Sequence, residues 1–134
     1  MEATPDIVTL NISRDLASLP VVRVVLDGVA LRRDLPIDAL DDLKLAVEAI
    51  LADESADGGR LTLEIASVPG SLSILVDGLC NQDLKEALLA EGPFQPTRSC
   101  VLNMRVVLDS LVDDYQILER SSGCFAVQMG KRVL

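Results

Sequence analysis

Gly58-Gly59-Arg60-Leu61-Thr62-Leu63-Glu64-Ile65-Ala66-Ser67-Val68-Pro69-Gly70-Ser71-Leu72-Ser73-Ile74-Leu75-Val76 reads as two strands joined by a tight turn. Leu61, Leu63 and Ile65 alternate with Thr62 and Glu64, the period of a strand with one buried face. Gly58-Gly59 breaks the chain ahead of the first strand, and Pro69-Gly70 turns it into the second, Leu72 to Val76. Strands joined by so short a connection pair antiparallel, so the rest of the chain has to cover one face of such a sheet.

Upstream of the hairpin, Val8, Leu10 and Ile12 alternate with Thr9, Asn11 and Ser13, which predicts a half-buried strand from Ile7 to Ser13. Ser18-Leu19-Pro20 then supplies a hydroxyl cap candidate and a first-turn proline for a helix carrying Val22, Val25, Leu26 and Val29. Its valines, like the methionines of the chain, are expected in the core. A second helix is predicted from about Asp38 to Ser55, with Leu40, Leu43, Val47, Ile50 and Leu51 on one stripe and Asp38, Asp41 and Asp42 complementing the dipole of its first turns. Downstream, Asn81 to Pro96 is polar and broken, apart from a short helical patch at Leu84, Ala87 and Leu88. A helix from about Ser99 to Asp113 follows, and two closing strands flank Ser121-Ser122-Gly123. The order is β-α-α-β-β-α-α-β-β in a single domain, residues 1–134. It predicts an α+β two-layer sandwich, an antiparallel-leaning mixed sheet with helices on one face.

The composition excludes several classes of function. Twelve Lys and Arg against 21 Asp and Glu leave a formal charge of −9, a sign that repels phosphate backbones and anionic lipid, so neither nucleic acid nor a membrane is expected as a partner. The chain has no histidine, which rules out Ser-His-Asp and Cys-His catalysis and removes the commonest metal ligand. Cys80, Cys100 and Cys124 are odd in number and widely spaced, and without histidine they do not form a zinc-type set, so no metal is expected. No basic segment precedes an apolar run at the start, and Arg23 and Asp27 interrupt Val21 to Leu31. The expectation is a soluble protein of the reducing cytoplasm.

Asp42-Leu43-Lys44-Leu45-Ala46-Val47 with Leu51 resembles the start of the nucleotide-site helix of the GHKL, or histidine kinase-like, ATPases. The similarity is to the bacterial anti-sigma factors that are also serine kinases of anti-anti-sigma proteins. Leu111-Val112-Asp113-Asp114 before a strand, then Gly123 and a last strand ending Lys131-Arg132, resembles the C-terminal end of the same family. The resemblance implies a Bergerat-type sandwich, usually dimeric, that sequesters a sigma factor and is countered by a partner of another fold.

The ATP chemistry of that family uses a Glu and an Asn four residues apart on the helix, together with Mg²⁺. The matching positions here are Ala49 and Asp53, or Glu48 and Ala52 when the frame slides by one, and neither frame keeps both groups. The family's Asp-x-Gly-x-Gly turn, which reads adenine, corresponds to Val76-Asp77-Gly78-Leu79-Cys80, with its first glycine one residue early and its second absent. The Gly-x-Gly that cradles phosphates corresponds to a region, Thr97 to Met104, without glycine. The resemblance therefore implies no catalytic residue, a degenerate nucleotide site at Asp53, Asp77 and Gly78, and no cofactor, with ATP and Mg²⁺ returning only if the family activity survives. Read without the resemblance, Asp77-Gly78 is an ordinary turn, Glu48 and Asp53 belong to a solvated helix face, Ser99 is an N-cap and Cys100 is a buried or half-buried thiol.

Between Asp34 and Asp57 stand eight acids and one base, −7 of the −9. Asp41, Asp42 and Glu48 are the expected contacts for a basic protein surface such as the DNA-contacting regions of a sigma factor, unless these acids serve only the helix dipole and solubility. Two functions follow. One is an anti-sigma-factor-like binding module for a sigma factor or an anti-anti-sigma protein, expected as a homodimer. The alternative is an ATP-dependent serine kinase with an atypical site built from Asp53, Asp77 and main-chain groups.

Overall fold

Proline fixes φ at the first central position of a turn and glycine accepts positive φ at the second, and Pro69-Gly70 uses both properties. Gly70 sits at φ 87° and Val68 pairs directly with Ser71 across the turn. The computed structural model describes residues 6–33, 35–53, 59–89 and 104–132. Strands β1 (Asp6–Ser13), β2 (Arg60–Val68), β3 (Ser71–Leu79), β4 (Asp114–Glu119) and β5 (Phe125–Arg132) form one sheet in the order β1-β2-β3-β5-β4. The helices are α1 (Leu19–Arg33), α2 (Ile37–Asp53), α3 (Gln82–Leu89) and α4 (Met104–Leu111). The class is α+β, in the predicted element order.

One feature of the predicted sheet is corrected. All four strand pairings are antiparallel, so the sheet is not mixed. Insertion of β5 between β3 and β4 reverses direction at each step, which leaves no parallel neighbours among the described strands. The last helix also closes at Leu111, two residues before the expected Asp113, whose N–H instead donates to the Gly130 carbonyl. The first part of that predicted helix, Ser99 to Asn103, lies outside the described residues, as do Glu54 and Ser55. The patch at Leu84 becomes a two-turn helix because the Asn81 side-chain oxygen accepts from the N–H groups of Asp83 and Leu84 at 3.0 and 3.3 Å.

Strand alternation divides the sheet into two chemically distinct faces. Leu61, Leu63 and Ile65 of β2, Leu72, Ile74 and Val76 of β3, and Phe125, Val127 and Met129 of β5 are buried on one face. Onto them pack Val22, Leu26 and Val29 of α1, Leu43, Val47 and Ile50 of α2, Leu84 of α3, and Met104 and Leu108 of α4, in a single cluster. Each fully buried aliphatic side chain contributes roughly 1.5–3 kcal/mol of transfer free energy. The other face carries Thr9, Asn11, Thr62, Glu64, Ser73, Asp77, Gln116 and Gln128 in cross-strand rows, the polar set expected where no helix covers a sheet.

The predicted core is corrected at α1. Val22 and Val29 are buried, but Val21 and Val24 are 52% and 70% exposed. A helix that is apolar nearly all round buries only the stripe that meets its sheet, and the remaining valines face outward.

Candidate functional site

The expected nucleotide positions lie on α2 and at the end of β3. On α2, Ala49 is half-buried and packs on the core, which leaves its position with a methyl group in place of a carboxylate. Glu48 points away from the sheet and pairs with Arg23 of α1 at 2.9 Å. Asp53 is the last residue of α2 and its side chain lies outside the described residues, as does the stretch from Thr97 to Asn103.

Asp77 is placed by register. It stands opposite Thr62 of β2 and Ala126 of β5, both on the helix-free face. Its carboxylate accepts from Arg120 Nε at 3.3 and 3.4 Å. Because β5 separates β3 from β4, this pair bridges over Ala126, which is fully buried although it lies on the open face. A methyl is short enough to let the bridge close. The sheet itself therefore separates the Asp77 carboxylate from α2, and the structure does not bring Asp77 and the α2 positions to one side.

Gly78 has a structural reason to be glycine. It is the extra residue of a bulge between the pairs Asp77–Ala126 and Leu79–Phe125, with φ 100°. A Cβ there would lie 3.1 Å from the Arg60 carbonyl oxygen. Arg14 donates to the Gly78 carbonyl at 2.7 Å, so this backbone is already occupied by a side chain of the protein.

The acidic segment also differs from its linear charge count. Asp42 accepts from Lys131 Nζ at 2.9 Å, and the same ammonium reaches the Leu111 carbonyl, where a cation complements the C-terminus of α4. Lys44 pairs with Asp27 at 2.5 Å, and Arg23 takes Glu48. Of the three expected partner contacts, Asp41 alone is exposed without an ion pair among the described residues. Lys131 and Arg23 were missed because nothing local marks a cation 89 or 25 residues away as the counter-ion of a helix.

Described residues line at least two hollows. One, about 280 Å³, lies by the β4 side of the sheet against Ser73, Asp114, Tyr115, Gln128 and Gly130. Burial raises the Tyr115 phenol above its ordinary pKa, Asp109 adds to the rise and Arg105 opposes it, so this hydroxyl stays protonated at pH 7. A second, about 290 Å³, is formed where α1 meets α2 by Asp27, Ala30, Leu31, Leu35, Ile37 and Leu40. Asp27 apart, its rim is apolar and open, with Leu31 85% and Ile37 73% exposed. Val21, Val24 and Leu31 share the outward stripe of α1 at helical spacing. Gly28 lies between them with no atom within 4 Å of an added Cβ. The spacing of Val22, Val25, Leu26 and Val29 was legible in the sequence and this second stripe was missed, because local spacing does not say which side of a nearly all-apolar helix meets the sheet.

Among the described residues, no group of three or more His, Cys, Asp or Glu side chains is placed to hold a metal ion. No described helix is long and apolar enough to cross a membrane. No protein-family model matches the chain, and no curated protein matches its sequence.

Proposed function

We propose that the chain is a regulatory protein of anti-sigma-factor type, a Bergerat-like sandwich that acts in the cytoplasm by binding a sigma factor or an anti-anti-sigma protein, without hydrolysing ATP. One observation carries the binding part of this reading. The outward stripe of α1 and the adjoining groove leave Val24, Leu31 and Ile37 more than two-thirds exposed, outside the core cluster of the described residues. A contiguous apolar patch of this kind on a small domain marks a protein–protein surface. The formal charge of −9 favours a basic protein over nucleic acid or anionic lipid as the partner.

The absence of ATP turnover is supported by the methyl group of Ala49, the Asp77 carboxylate engaged by Arg120 across the sheet, and the Gly78 carbonyl engaged by Arg14. Calorimetric titration with Mg-ATP is expected to give no measurable heat of binding up to millimolar nucleotide. Micromolar affinity would revive the kinase alternative.

The acidic face steers the encounter. Affinity capture from the native host, with the bound proteins identified by mass, should recover a sigma factor or its antagonist. Association of that partner should then slow about tenfold when Asp41, Asp42 and Glu48 are all changed to Lys, because opposite charges raise encounter rates over a Debye length of roughly 8 Å. The triple reversal also sets Lys beside Lys131 and Arg23, so a circular dichroism melt must accompany it. Asp41→Lys breaks no ion pair among the described residues and gives the cleaner rate measurement. Asp77→Ala is the control and should leave association unchanged. A rate insensitive to salt and to Asp41→Lys, yet lost with Asp77→Ala, would move the working surface to the open face of the sheet.

A further inference from the structure

We propose that Cys80 and Cys124 form a reversible disulfide, a thiol-modification site that takes low-molecular-weight disulfides such as oxidised glutathione as its oxidant. The two residues are 44 positions apart in the chain, yet their sulfurs are 2.7 Å apart. Their meeting follows from the register of the sheet. Leu79 and Phe125 are the last pair of the β3–β5 ladder, and Cys80 and Cys124 are the next residues just past the ends of the two strands, where their sulfurs meet. The two sulfurs are already within a small side-chain adjustment of the roughly 2.05 Å of an S–S bond, so the link needs no large movement of the backbone.

Both flanks of the pair are held in place. The turn from β4 to β5 is closed by Arg120 N–H donating to the Cys124 carbonyl at 3.0 Å and by Cys124 N–H donating to the Ser121 carbonyl at 3.3 Å. On the other side, Asn81 caps α3. Gln82 joins the two flanks, its amide donating to the carbonyls of Gly123 at 2.5 Å and Cys80 at 3.5 Å. Both cysteines are half-buried, which leaves them within reach of a small reagent while the chain around them is fixed.

The chemistry balances as thiol–disulfide exchange. The thiolate of one cysteine attacks a sulfur of oxidised glutathione, whose S–S bond breaks and releases one glutathione thiolate, which takes up a proton. The other cysteine gives up its proton and attacks the protein-side sulfur of the mixed disulfide, releasing the second glutathione. Two protein thiols lose two electrons, and one small disulfide becomes two thiols. In a reducing compartment such a bond is transient, a sensing modification more than a structural staple. Formed, it ties the start of α3 to the β4–β5 turn.

The test uses the whole chain, reduced and then incubated with oxidised glutathione. Of three titratable thiols one should remain, the intact mass should fall by that of two hydrogens, and peptide mapping should find Cys80 linked to Cys124. Cys100→Ser should still form the link. Cys80→Ser and Cys124→Ser should instead stop at a glutathione adduct. The linked protein should melt about 10 °C higher than the reduced one, the rise disappearing on reduction, as expected for a bond that closes a loop of this length without strain. A map in which Cys100 supplies one partner, adducts without the internal link in the unmutated chain, or three thiols untouched by the oxidant would overturn the proposal.

Discussion

Phe125→Ala is expected to lower the unfolding free energy by about 3–5 kcal/mol, a large part of the roughly 5–15 kcal/mol that holds a domain of this size together. Phe125 is fully buried at the start of β5, opposite Leu79 on one side and Glu119 on the other. Aromatic residues make up only 2% of the chain, so its ring is among the bulkiest pieces of the core. Phe125 belongs to the single core cluster shared by the sheet and the helices, and such packed surroundings relax only partly into the space a ring vacates. Urea denaturation should show the midpoint falling with an unchanged slope. A loss below about 1 kcal/mol would mean that the site repacks, and would place the weight of the core elsewhere.

Leu31→Glu combined with Val24→Glu is expected to abolish self-association. We propose that the same outward stripe of α1 on which partner capture rests also pairs with its counterpart in a second copy, so that the two occupants compete for it, with Gly28 giving the two helices close approach. Sedimentation of the unmutated chain should then give a mass near twice 14.4 kDa, and the variant a mass near 14.4 kDa itself. Val24 and Leu31 are 70% and 85% exposed in the single chain, so the substitutions should change its stability by no more than about 0.5 kcal/mol each. In a dimer each would bury a carboxylate against apolar surface in both copies, and weakening of association by at least about 100-fold is the conservative expectation. A chain that is monomeric at high concentration would remove the dimer from the proposal. A variant that remains dimeric would move the contact away from α1.

The acid reversals separate charge from apolar contact. Asp41→Lys acts on the rate of encounter and leaves the stripe intact, whereas the α1 substitutions act on the contact and leave α2 intact. If both slow partner capture, one surface on the helical layer serves recognition and assembly together.

Much of this protein is determined by local pattern. Alternation at Leu61, Leu63 and Ile65, the Pro69-Gly70 turn and the 3.6-residue stripe from Leu40 to Leu51 place the hairpin and α2, because side-chain periodicity and turn chemistry act over a few residues. What remained for the tertiary structure are the relations between distant segments. Alternation from the buried Val76 turns Asp77 to the open face, but only the strand order brings Arg120 within reach of it. The fold alone delivers Arg23 and Lys131 to acids that a linear count leaves unpaired, and it sets Cys80 beside Cys124. The valines of α1 show the physical reason most plainly. Their spacing is a local property legible in one segment, but which of them is buried depends on the sheet that segment meets, and the segment does not contain that sheet.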